Sequence, residues 1–302
     1  LRGTNEDTDM TEPTWHRGQP RARSAGAIAL LLAAALLLAP GAARAQTPSP
    51  LAEWQYSAGI ALQRMFLPEV PVWQAELGLG AEYAPLYDGS QRYQVLPGPS
   101  ANLRYRDRFF ASTGEGVGAN IATGENYRVG VAISYDLGRR TASYASHLDG
   151  LGNIDPAPEA KLFASYSVSK SFPLVLRVDV RRAIGGTDGV IGDAGAYLPL
   201  PGSSRRFIWF AGPTVTFADA TYMNRYFGIG EAQAARSGYA RYKADAGLKS
   251  AGFGLSANWF VTQRWILNAS AAFSQLLQSA ARSPITEQAS QGVISLSVAY
   301  RF

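Results

Sequence analysis

The last residues of the chain read GVISLSVAYRF, and every second one is bulky and apolar: Ile294, Leu296, Val298, Tyr300 and Phe302. Between them lie Val293, Ser295, Ser297, Ala299 and Arg301. A period of two puts each set on its own face of an extended strand. NYRVGVAISYD repeats the pattern, with Tyr127, Val129, Val131, Ile133 and Tyr135 opposite Arg128, Gly130, Ala132, Ser134 and Asp136. In AELGLGAEY, Leu77, Leu79, Ala81 and Tyr83 oppose Glu76, Gly78, Gly80 and Glu82. PLVLRVDVRR and RWILNASAAF alternate in the same way. Further segments lie near 99–106, 107–113, 115–122, 159–168, 188–198, 206–217 and 250–260, for a total of about twelve. The 107–122 stretch reads either as two strands or as one. Helical periodicity is hard to find.

Many alternating strands fit a soluble sandwich or a membrane barrel. Three features favour the barrel. The segments run nearer ten residues than the five or six usual in soluble strands. Aromatics sit at segment ends, among them Tyr83, Tyr105, Tyr127, Tyr135, Trp259, Trp265, Phe273, Tyr300 and Phe302, as in the girdles of membrane barrels. Short connections (169–172, 199–205, 261–263) alternate with long ones (137–158, 218–249, 275–291), although 183–188 is short where a long one is expected. The pattern predicts an all-β fold, a transmembrane antiparallel up-and-down β-barrel of about 10–12 strands, in contact with outer-membrane lipid. In lipid every backbone polar group needs a partner, so the last strand must pair with the first. That requirement places Tyr300 and Phe302 facing lipid at the periplasmic rim. A terminal strand ending on Phe also resembles the signal by which barrel-assembly machinery recognises its clients.

The N-terminus sets the compartment. Arg17, Arg21 and Arg23 precede the apolar stretch AGAIALLLAAALLLA at 25–39, and Ala43-Arg44-Ala45 follows as a small-x-small cleavage site. This is the layout of a secretory signal peptide; the stretch is short for a membrane helix, which needs about 20 residues. The expected organisation is an export segment with a cleavable signal peptide at 1–45, a periplasmic arm or partial strand at 46–74, and an outer-membrane barrel at 75–302. WQYSAGIAL (54–62) reads as a partial strand, a lumen plug or part of that arm. Five of the 28 basic and four of the 23 acidic residues fall in 1–45, which leaves 23 − 19 = +4 on the mature chain. So small an excess on an exported chain excludes nucleic acid as the expected partner. The chain has no cysteine, which removes disulfides, thiol nucleophiles and thiolate metal sites.

Catalytic chemistry finds little support. The mature chain holds one histidine, His147, beside Ser146 and Asp149 in YASHLDGLGN. Neighbours within one loop rarely build a triad, whose members must converge from separate elements. Asn153, Asp155 and Glu159 offer oxygen ligands, but their spacing matches no EF-hand loop. GLGAEY, AIGGTDG and GIG lack the Gly-Lys-Ser/Thr ending of a phosphate loop. No catalytic, metal or cofactor site is expected. Arg177, Asp179 and Arg181 share one strand face and are candidate lumen-lining charges. They read either as a selectivity element or as a polar interior satisfied by its own ion pairs, and the second reading is favoured.

Several strings resemble the MipA/OmpV family of outer-membrane proteins: GLGAEYAPLYDGSQRYQVLPGPSANLRYRD (78–107), SYDLGRR (134–140), LDGLGNID (148–155), GGTDGVIGDAGAYLPLP (185–201), YMNRYFGI with EAQAARSG (222–238), LKSAGFGLSANWFVTQRWILNASAAFSQLL (248–277), ARSPI (281–285) and the final VAYRF. They keep their order over nearly all of the mature chain. Gln278 and Ser279 stand where relatives carry Gly-Asp, which sets aside any role for an acid there. The resemblance implies a non-enzymatic barrel in the bacterial outer membrane. It further implies a scaffold joining a lytic transglycosylase to a penicillin-binding protein; other relatives are linked to adhesion or antibiotic passage. A channel, uptake or adhesion barrel is therefore the alternative.

Overall fold

The computed structural model describes residues 72–141, 147–169 and 171–302, all within one compact unit of residues 43–302. The expected export segment 1–45, the expected arm up to residue 71 with WQYSAGIAL at 54–62, and Ser146 lie outside the described residues. Twelve strands form one closed antiparallel barrel in which each neighbours the next in sequence. They are β1 (Trp73–Pro85), β2 (Tyr93–Tyr105), β3 (Phe109–Ser112), β4 (Gly116–Thr123), β5 (Tyr127–Asp136) and β6 (Ala157–Ser167). β7 (Val175–Ala183), β8 (Val190–Pro199), β9 (Phe207–Ala218), β10 (Gly247–Phe260), β11 (Trp265–Leu276) and β12 (Ser290–Arg301) complete the wall. The 107–122 stretch is two strands, β3 and β4.

β12 closes on β1 in the register Leu77↔Tyr300 to Tyr83↔Ile294. The Phe302 N–H extends the closure to the Ala75 carbonyl at 3.0 Å. This seam is tight. A Cβ on Gly78 would lie 2.2 Å from the Val298 carbonyl oxygen, so only glycine lets the two backbones approach here.

Period two becomes inside and outside. Leu79, Val95, Val131, Leu162, Val178, Val180 and Leu296 are exposed on the outer wall, where lipid replaces water as the solvent. Trp73, Phe109, Tyr127, Tyr166, Trp259 and Trp265 ring one end of this apolar band, and Tyr83, Tyr135, Phe217 and Phe273 ring the other. The first end carries the short turns. Its β2–β3 turn has two central residues, Arg106 and Asp107, both left-handed at φ 48° and 51°, and Arg108 N–H donates to Tyr105 O at 2.9 Å. That is the turn geometry whose twist matches a hairpin.

The other end carries the long connections, and these contain what the alternation does not announce. Among the described residues three helices sit there: α1 (Ala220–Phe227), α2 (Glu231–Ser237) and α3 (Gln278–Ala281). Asp219 caps α1 by accepting from Tyr222 N–H at 2.7 Å. Such a cap satisfies one of the donors that every helix start leaves open.

Candidate functional site

Three features give the molecule functional character: a polar chain inside the wall, a closed mouth at the long-loop end, and a basic rim at the short-turn end.

The inner faces of β2, β5, β7 and β8 project charged side chains into the barrel. Arg128 on β5 pairs with Asp107 at 3.2 Å. Arg104 on β2 lies 4.0 Å from Asp107 and 2.5 Å from Glu115 at the β3–β4 tip. Glu115 reaches on to Arg177 of β7 at 3.9 Å. Asp179 sits between Arg177 (4.0 Å) and Arg181 (3.3 Å). Arg181 also pairs with Asp193 of β8, which accepts from Thr216 Oγ1 of β9 at 2.5 Å. Arg104 and Arg177 lie over the Phe110 and Phe163 rings at 5.6 and 5.1 Å. Along this chain Arg104, Arg128, Arg177 and Arg181 are joined to Asp107, Glu115, Asp179 and Asp193, four against four. A chain of this kind joins strands across the interior through mutually satisfied charges.

The mouth is closed by apolar packing. α1 buries Tyr222, Met223, Tyr226 and Phe227 against Ile154, Ile191, Ala218, Leu276 and Ala280. Each fully buried large side chain contributes about 1.5–3 kcal/mol. Polar ties fix its position: Tyr226 OH donates to Asp136 at 2.8 Å, Arg139 donates to the Tyr226 carbonyl at 2.7 Å, and Ser283 donates to the Phe227 carbonyl at 2.6 Å. A second cluster joins Tyr87, Leu148, Leu151, Ile229 and Ile285 from four connections. Burial, reinforced by a hydrogen bond to the Glu287 carboxylate, pushes the Tyr87 phenol well above its usual range. Burial does the same to Tyr222.

At the opposite end the short turns expose Arg106, Arg108, Arg205, Arg206 and Arg264, while Glu125 is the one exposed acid among the described turn residues. Asp107 is buried and turned inward against Arg128. Hairpin geometry therefore sorts the charges, sending the acid inside and leaving the arginines outside.

The residues singled out by sequence fall as follows. Arg177, Asp179 and Arg181 are buried on the inner face of β7. Tyr300 packs on Trp265 and Phe302 (5.2 and 5.0 Å between ring centroids), and its hydroxyl accepts from Arg264 at 3.0 Å. Phe302 is 74% exposed. His147 does not meet Asp149, which is exposed. Its Nδ1 lies 3.0 Å from Tyr239 OH and 3.7 Å from Glu287, and its Nε2 lies 3.2 Å from the Pro284 carbonyl. Those contacts tie loops together. Asn153 accepts from Thr141 at 2.9 Å, whereas Glu159 accepts from Ser134 at 3.1 Å inside the wall, so these two oxygen ligands serve separate places. AIGGTDG forms the β7–β8 connection, with Asp188 accepting from Gly185 N–H at 2.9 Å. Asp107, Glu115, Asp193 and α1 were missed. The N-cap Asp219 ahead of YMNRYF was the available signal for α1.

A closed antiparallel cylinder with an apolar outer band between two aromatic girdles is a transmembrane β-barrel of the outer-membrane type. Residues 77–302 match the family model described as MltA-interacting protein MipA, and the chain belongs to that family. No curated protein matches it. Solved structures similar to it include a KdgM porin (9% identity, 75% of this chain and 99% of that chain covered, TM-score 0.39). A CymD monoaromatic hydrocarbon channel (12%, 79% and 92%, 0.41) and a NanC porin (10%, 75% and 100%, 0.41) are also similar.

Proposed function

We propose that this protein is a capped, non-catalytic outer-membrane barrel that holds peptidoglycan enzymes at the periplasmic face through its basic short-turn rim. Short turns belong on the periplasmic side of such barrels. The observation that carries the reading is the charge of that rim, five exposed arginines against one exposed acid among the described turn residues. The arginines stand on tight hairpins, so little freedom is lost when an acidic surface docks on them. The family description, an MltA-interacting protein, supports a protein partner of this kind. A lytic transglycosylase and a penicillin-binding protein are the partners the reading assigns. The apolar packing at the mouth and the mutually paired charges along the lumenal chain weigh against the channel alternative.

The test is co-purification from detergent-solubilised envelopes with tagged full-length protein, alongside a variant carrying Arg106→Glu, Arg108→Glu, Arg205→Glu and Arg206→Glu. Recovery of both enzymes by the parent and their loss from the variant is the expected result. Recovery of assembly factors and porins alone, or equal recovery by the variant, would overturn the reading.

A further inference from the structure

One charge stands on the wall that lipid should meet with apolar groups alone. Among the charged residues of the twelve strands, only Arg182 is exposed. On β7 its face is the outward one, shared with Leu176, Val178 and Val180, while Arg177, Asp179 and Arg181 are buried inside. Arg182 makes no ion pair or side-chain hydrogen bond among the described residues. Its strand neighbours on the outer face are Ala160 of β6 and Val190 of β8. Neither can accept a hydrogen bond through its side chain.

Below Arg182 the surface is grooved. The outward positions that follow Val190 on β8 are Gly192, Ala194 and Ala196, small and only half-exposed. They pair with Val180, Val178 and Leu176 of β7, all of which stand exposed. On the other side Gly192 pairs with the exposed Phe217 and Ala194 with Val215 of β9. Small residues between two rows of large ones leave a furrow along β8, with the guanidinium at its upper end. From Val190 to Ala196 the furrow runs about 20 Å along the strand. At a tilt of about 40° it spans about 15 Å of depth, half of a hydrocarbon core of about 30 Å.

Register also fixes the height of the charge. Tyr135 of the girdle pairs with Pro158, whose carbonyl accepts from Ile184 N–H at 2.8 Å. Arg182 lies in the next outward row, with Ala160 and Ile133. It therefore stands at the edge of the apolar band on the long-loop side, which faces outward in such barrels. Lipid headgroups begin at that level. A second cation lies above. Asp219 N–H donates to the Val190 carbonyl at 2.9 Å, which starts α1 over the top of β8. The exposed Arg225 of that helix donates to the Gly186 carbonyl of the β7–β8 connection at 3.1 Å. Asp188 of the same connection is occupied by Gly185 N–H at 2.9 Å.

We propose that Arg182 and the β8 furrow form a seat for a phosphate-bearing acyl lipid of the outer leaflet. The phosphate binds the Arg182 guanidinium, with Arg225 above it, and one acyl chain lies along Gly192, Ala194 and Ala196. Arginine suits this task because its planar fork matches phosphate oxygens, and the pair is strengthened where water thins out. The seat is on the outer wall at the end away from the arginine rim, so it neither needs nor excludes the docking of periplasmic enzymes.

The test uses the full barrel in neutral detergent and native mass spectrometry, with diphosphorylated lipid A and its dephosphorylated form as matched probes. Arg182→Gln removes the charge, and Ala194→Trp fills the furrow. Arg241→Gln removes an exposed arginine from the connection that leads into β10 and serves as the control. Intact folding of each variant is read from heat-modifiable gel mobility. The parent is expected to retain the phosphorylated probe over the other by roughly tenfold, each furrow variant to lose about that factor, and the control to match the parent. Equal retention of the two probes by the parent, parent-like retention by either folded furrow variant, or an equal loss in the control would overturn the proposal.

Discussion

Glu115 illustrates how much one side chain holds in this molecule. It is 3% exposed, sits in a three-residue turn, and accepts from Arg104 on one side while facing Arg177 of β7 on the other. Removing one member of a buried pair leaves the other charge uncompensated, at a cost of about 3–5 kcal/mol. Glu115→Gln should therefore lower the temperature at which the barrel loses its heat-modifiable mobility, and Arg177→Met should do the same. Conductance in planar bilayers should stay unchanged in both. The sequence placed Arg177, Asp179 and Arg181 on one face by period two alone. It did not reveal Asp193 or Glu115 as their partners, because the first depends on the β7–β8 register and the second reaches β7 from the tip of the β3–β4 hairpin, and neither is set by the alternation within β7.

Two phenols at the mouth make a second prediction at this scale. Tyr87 and Tyr222 titrate higher in the folded protein than in the unfolded chain, chiefly through burial. Their contribution is complete below the free tyrosine value of about 10 and is lost as pH rises through the folded values. Hydrogen exchange in residues 219–246 should accelerate above that pH while strand amides stay protected. Uniform protection to higher pH would contradict the assignment.

At the scale of elements, legibility followed the strength of the period. The strands were readable because lipid outside and side chains inside make each alternate position a different environment. The β3–β4 hairpin was ambiguous because β3 is only four residues long, too short to establish a period. α1 was missed for a similar reason: it is eight residues long, and its apolar set Tyr222, Met223, Tyr226 and Phe227 covers barely two turns. Its stability comes from the cluster it packs into. Phe227→Ala should therefore cost about 3–5 kcal/mol locally and loosen the cap, without changing the barrel's strand content by circular dichroism. Labelling of a cysteine placed at Asn258 on the inner wall by an external maleimide should rise in this background. Labelling as slow as in the capped parent would mean that the mouth is closed by something else.

At the scale of the whole molecule, each end of the cylinder has its own character. One end is sealed by apolar loops and small helices; the other presents arginines on short turns. Composition could not foretell this polarity, since a formal excess of +5 over the whole chain is unremarkable and only hairpin geometry gathers the exposed arginines at one rim. The most direct measurement is the affinity of the barrel, held in lipid nanodiscs, for a purified periplasmic lytic transglycosylase. It should be followed by interferometry at low and high salt with the parent and with Arg205→Glu/Arg206→Glu. The account predicts binding to the parent that weakens with salt and falls at least about tenfold in the variant. Salt-independent binding of equal strength to both, or no binding to the parent, would contradict it.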